Sequence, residues 1–207
     1  MKKRLALFLS QDPFSVDTAW SEEITSQVEN AFQDVHDKFL DAIALIPQSR
    51  NDQSGTTATV AFVTKDFVIL ANLGDSRAVL STRKAGTVGA MQLTRDHVAS
   101  DPLEKAAVER RGGRVIQITG VHRVNGTLAV TRSLGDSRLS GLLSQTPDVM
   151  PFTRDAVLEM CGELKDDGVL PCFLILASDG LWDVLSNQEA VRLLHFSLRV
   201  LFMTLDH

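Results

Sequence analysis

Three aspartates stand at the ends of short apolar runs, where a carboxylate can do chemistry. They are Asp75 in Asn72-Leu73-Gly74-Asp75-Ser76-Arg77, Asp96 in Leu93-Thr94-Arg95-Asp96-His97, and Asp179 in Ala177-Ser178-Asp179-Gly180-Leu181-Trp182-Asp183. Asp179 follows the most apolar run of the chain, Phe173 to Ala177, which reads as a central strand buried on both faces. A carboxylate delivered by such a strand must be paired, hydrogen-bonded or on a cation, because bare desolvation is too unfavourable. Asp183 lies four residues further on, so one helical turn across Gly180 puts both carboxylates on the same side. Hard oxygen donors in that arrangement suit Mg2+ or Mn2+ better than zinc. A strand-end aspartate also serves as a turn or cap residue, and Asp75 reads that way, with Arg77 able to pair with a neighbouring carboxylate. His97 beside Asp96 reads either as a general base or as a partnered structural histidine, and Cys172 as a small buried side chain.

Other chemistries lack their parts. The chain has no GxxxxGK[ST] phosphate loop, no GxGxxG, no HExxH and no GxSxG nucleophile elbow. With 44% hydrophobic and 23% charged residues in 207, it has the composition of a globular protein with a sizeable core. Its net charge of -5 lacks the basic excess that a nucleic-acid backbone requires, so nucleic acid is not an expected partner. No apolar stretch approaches the ~18 residues of a membrane span. Cys161 and Cys172 sit in no metal-ligand spacing and are too few for a disulfide framework, which fits a cytoplasmic or nuclear protein. Lys2 to Arg4 before Leu5 to Leu9 imitates a signal peptide, but the run is short and has no cleavage site; the end of a helix broken before Pro13 is the other reading.

Several elements must position these aspartates. Ile24, Val28, Ala31, Phe32, Val35, Phe39, Ile43 and Ile46 recur at helical steps, beginning after Ser21-Glu22-Glu23 and closing at Pro47. Short strand-like runs follow at Thr57 to Val63, Phe67 to Leu73 and Arg77 to Ser81, with Lys65-Asp66 turning the first into the second. A helix is expected from Pro102 to Arg111, capped by Asp101 and ended by Gly112-Gly113. Further strands are expected at Val115 to Ile118, Thr127 to Val130 and Asp148 to Phe152. The last segment, Ala190 to Met203, is apolar on several helical faces, which predicts burial on more than one side. This order reads as an α+β fold of one domain, and the repeated Leu-Gly-Asp-Ser-Arg, at Leu73 to Arg77 and Leu134 to Arg138, as two similar turns.

Five segments, Ser54 to Ala58, Ala71 to Val79, Leu93 to His97, Arg123 to Asp136 and Ala177 to Val184, closely resemble in order the motifs of the PPM (PP2C-type) metal-dependent protein serine/threonine phosphatases. The resemblance covers about residues 5–191 of a single partial domain over 1–207, with a poorly matched helix after it. It implies an αββα sandwich of two antiparallel sheets flanked by helices, truncated here, acting on phosphoserine and phosphothreonine proteins through a metal-activated water. By motif match Asp179 is a ligand of the dinuclear centre, and Asp96 and Asp183 join it at an additional, weaker site for Mg2+ or Mn2+. The family's phosphate-binding arginine, its Asp-Gly-His-Gly-Gly motif and its Gly-x-x-Asp-Asn motif do not occur in the chain, and His97-Val98-Ala99 replaces His-Lys-Pro. The resemblance therefore implies weakened or lost metal binding, no identifiable catalytic acid, and little or no activity of these 207 residues alone. A non-catalytic phosphoprotein-binding module is the alternative.

Overall fold

The apolar stripe forms helix α1 (Thr18–Ala44) in a computed structural model that describes residues 18–46, 54–162 and 172–205. The expectations at Leu5 to Leu9, Pro13 and Pro47 lie outside the described residues. The buried face of α1 is narrower than its sequence period: Phe32 is buried, whereas Val35 and Phe39 are 53% and 38% exposed. His36 takes the inward position instead, because its Nδ1 accepts a hydrogen bond from the Gly135 amide at 3.1 Å.

Two three-stranded antiparallel sheets follow. One contains β2 (Ala58–Val63), β3 (Phe67–Leu73) and β9 (Asp148–Thr153), with β3 in the middle. The other contains β4 (Arg77–Lys84), β5 (Thr87–Gln92) and β10 (Leu174–Ala177), with β4 in the middle. Ala71 and Leu73 of β3 meet Phe32 of α1, while Leu70 and Asn72 are buried on the opposite face. Val79 of β4 meets Ala190 and Val191 of helix α5 (Asn187–Leu205), while Ala78 and Leu80 are buried on the other face. Helix, sheet, sheet and helix thus form the layers, an α+β architecture built on β3 and β4.

Smaller elements complete the frame. Strand β1 (Gly55–Thr56) pairs with β8 (Leu134–Gly135), and β6 (Val115–Ile118) forms a hairpin with β7 (Val121–Val124). Helix α2 (Pro102–Arg110) starts where expected: the Asp101 carboxylate accepts from the Leu103 and Glu104 amides at 2.8 and 3.1 Å. Its end is also as read, with Gly112 at φ +86°. Helix α3 (Arg154–Cys161) follows β9, and the short α4 (Asp179–Trp182) follows β10.

Four expectations are corrected. Strand β10 pairs only with β4 among the described strands and Leu176 is 39% exposed, so the strands buried on both faces are β3 and β4. Thr127 to Val130 makes only isolated bridges, Leu128 to Val124 and Val130 to Val98, because its backbone turns back on the end of β7, where the Thr127 amide donates to the Val124 carbonyl. On α5, Ala190 and Val191 are buried but Leu193 and Phe196 are 56% and 69% exposed, so the described part of this helix is covered on one side. Cys161 and Cys172 are joined as a disulfide, their Cα atoms 5.7 Å apart. Their approach follows from β4, whose Ser81 binds Phe173 while Arg83 bridges Gly162.

Candidate active site

The two Leu-Gly-Asp-Ser-Arg segments converge on one cleft. Each glycine has a left-handed backbone, Gly74 at φ +98° and Gly135 at φ +81°, and each following aspartate, Asp75 and Asp136, lines a cleft of about 370 Å3 together with Asp179 and Arg123. Gly74 ends β3. Its amide donates to His97 Nδ1 at 3.1 Å, and a Cβ there would run into Thr57. Thr57 and Ser76 share a hydroxyl hydrogen bond of 2.7 Å, and Asn72 Nδ2 donates to the Arg95 carbonyl at 2.9 Å. These contacts fix the turn that carries Asp75 into the cleft.

Asp179 arrives from the other sheet. Ala177 pairs with Arg77, and α4 begins directly after Ser178. The Asp183 amide donates to the Asp179 carbonyl at 2.7 Å and Trp182 Nε1 donates to the Ala177 carbonyl at 2.8 Å, so the two aspartates bracket one helical turn, as their spacing predicts. Asp179 itself is exposed, which corrects the expectation of a carboxylate desolvated by a buried strand. The half-buried member is Asp75, whose carboxyl is pushed up by burial and next by the charge of Asp179, with smaller pushes from Asp96 and Asp183.

Asp96 is already partnered. Arg77 Nε and Nη2 donate to its two oxygens at 3.1 and 2.6 Å, while Arg77 Nη1 donates to Asn187 at 2.6 Å. The guanidinium lies 5.4 Å from the centre of the Trp182 ring. Among the described residues, no three His, Cys, Asp or Glu side chains stand close enough together to hold a metal ion.

His97 is a structural histidine. It is fully buried, and with the Gly74 amide on Nδ1, the ring carries its proton on Nε2, 3.1 Å from Asp148 Oδ2. Behind it lies an ion network that joins α2, β9 and the loops before them. Arg132 donates to both oxygens of Glu104, at 3.1 and 2.6 Å, and to Asp148 at 2.8 Å. Burial pushes the Glu104 carboxyl up, but hydrogen bonds from Arg132 and Thr131 outweigh it and hold the group below its ordinary value. Contact with the His97 ring 3.1 Å away, opposed by burial and helped by Arg132, holds Asp148 down to about 2.

Arg123, Asp136 and the cleft position of Asp75 escape a sequence reading based on strand-end carboxylates. The repeated pentapeptide is the signal that could have found both aspartates.

The family model described as protein phosphatase 2C matches residues 10–200. The chain belongs to the protein phosphatase 2C family. A rice relative, "Probable protein phosphatase 2C 32" of Oryza sativa subsp. japonica, is 35% identical over 184 residues, 89% of this chain and 41% of its own. This phosphatase 2C chain thus spans less than half the length of that relative. Among solved structures, a serine-threonine phosphatase 2C from Toxoplasma gondii superposes with a TM-score of 0.64 at 24% identity, over 92% of this chain and 61% of that one. A C. elegans sex determining protein gives a TM-score of 0.65 at 26% identity, over 91% and 40%. The phosphatase 2C fold is therefore shared, and the family is one of metal-dependent protein serine/threonine phosphatases.

Proposed function

We propose that this chain supplies the phosphate-ester cleft of a protein phosphatase that hydrolyses phosphoserine and phosphothreonine in protein substrates. The observation that supports it most is the convergence of Asp75, Asp136 and Asp179 from separate elements on one cleft. Burial first and the Asp179 charge next raise the Asp75 carboxyl there, and a divalent cation beside these carboxylates would offset their charge. The donors are hard oxygens and fit Mg2+ or Mn2+ in kind. Asp179 and Asp183, exposed at the start of α4 and just past its end, are the proposed ligands, with Asp96 the weakest of the three because Arg77 already holds both its oxygens. When bound, the cation supplies Lewis acidity and offsets charge on the phosphoryl group. Arg123 lines the same cleft and offers its guanidinium to the phosphate oxygens. His97 has no part in this scheme, since it is buried, does not line the cleft, and accepts from the Gly74 amide on Nδ1.

The test is hydrolysis of p-nitrophenyl phosphate and a phosphothreonine peptide by the purified chain, with Mn2+, with Mg2+ and with chelator. Turnover is expected to be slow, to require the cation and to vanish in Asp179→Asn. Hydrolysis that survives chelator or that substitution refutes the reading.

A further inference from the structure

The hairpin of β6 and β7 carries an apolar face that is only partly covered, with the Gly126 loop approaching it at Ile118. In its register Val115 pairs with Val124, Ile116 with Arg123, Gln117 with His122 and Ile118 with Val121. Directly opposed residues share a face, and faces alternate along each strand. Val115 and Val124 turn inward, onto the cluster that includes Ala99, Val108 and Leu139. Ile116, Ile118, Val121 and Arg123 therefore share the outer face, where the three aliphatic side chains are 45%, 41% and 43% exposed. The row ends at Arg123, the one cationic side chain among the described residues that line the cleft. Its Nη1 is steadied by the Thr127 carbonyl at 2.7 Å.

We propose that this outer face is a substrate-docking surface that selects phosphopeptides bearing an apolar side chain two residues from the phosphorylated serine or threonine. The proposal rests on the phosphatase reading above and adds the class of substrate. Charge fixes the docking point: Arg123 is the cationic side chain that the described lining of the cleft offers to a phosphate. Spacing fixes the second contact. Arg123 and Val121 are two residues apart on one face, and an extended peptide repeats its own face at the same step of roughly 6.6 Å. A phosphoryl group at Arg123 thus brings the next side chain of that face over Val121 and Ile118.

The experiment measures binding by fluorescence anisotropy with Mn2+ present, using peptides that carry a non-hydrolysable phosphonate analogue of phosphothreonine. One peptide has leucine two residues to either side, a second has serine there, and a third has the leucines with unmodified threonine. The leucine phosphonate is expected to bind about tenfold tighter than the serine one, from burial of the half-exposed aliphatic carbons. Ile118→Ser combined with Val121→Ser erases that difference and leaves the serine phosphonate unchanged. Equal affinity for the two phosphonates overturns the docking surface and leaves the phosphatase reading intact, and this comparison needs no variant. Equal binding of the unmodified leucine peptide overturns it as well, by uncoupling the apolar face from phosphate. Failure of both phosphonates to bind overturns the docking surface together with the reading on which it rests.

Discussion

Asp148→Asn tests the ion network that holds the Gly74 turn, because it removes one charge while keeping the side chain's shape. In the folded chain the contact with His97, against burial and aided by Arg132, lowers the Asp148 carboxyl from 3.8 to about 2. The two values lie nearly two pH units apart, and each unit corresponds to about 1.4 kcal/mol, which gives about 2 kcal/mol at neutral pH. The Asp148 side chain is 31% exposed, so it remains in contact with water. Solvent screening brings the expected contribution to between about 1 and 2 kcal/mol. The sign follows from the depressed value: the contribution is complete above the unfolded carboxyl's range and is lost as pH falls toward the folded one. Urea unfolding of wild type and Asp148→Asn at pH 7, 5 and 3 should show the gap intact at the first two and reduced to about half at pH 3. A gap that is absent at pH 7, or that stays constant down to pH 3, refutes the assignment of this stability to the Asp148 charge.

Two further substitutions probe the same frame and the cleft. Arg132→Leu leaves Glu104 buried without its bidentate partner and is expected to lower stability by about 3 kcal/mol or more, read by urea unfolding at neutral pH. Asp75→Asn is expected to raise the melting temperature in chelator at neutral pH. Burial and Asp179 raise the Asp75 carboxyl, so the ionised form opposes folding as pH rises above 3.8 and the gain should fade below it. A variant that melts at or below wild type under those conditions contradicts the electrostatic reading of the cleft.

Local signals in the sequence carry much of the frame. Phe67–Leu73 coincides with its predicted strand, and Thr64 closes the Lys65-Asp66 turn through a 2.8 Å bond from its amide to the Phe67 carbonyl. Asp101 caps α2 as its type and position before Pro102 predict. The residues misread are those whose environment is set by distant parts of the chain. Val35 has the right helical phase but is exposed, whereas His36 is buried and holds the Gly135 amide, 99 residues away. Strand β5 is absent from the sequence reading because Gly89 and Gln92 interrupt its apolar run, yet β4 pairs with it along six residues. The disulfide depends on two segments meeting across β4, which cysteine spacing alone does not disclose. At the site, the bracket of Asp179 and Asp183 is legible as a four-residue step. The exposure of Asp179 and the burial of Asp75 are not, because both depend on how the β3–β4 turn meets α4.

The most direct test of the central claim, that the Asp179 cleft is a divalent-cation site, is a Mn2+ titration of the intact chain followed by the paramagnetic signal of the free ion. The account predicts saturable binding with a dissociation constant on the order of millimolar, displaced by Mg2+ and lost in Asp179→Asn. Undiminished Mn2+ binding by Asp179→Asn would contradict it.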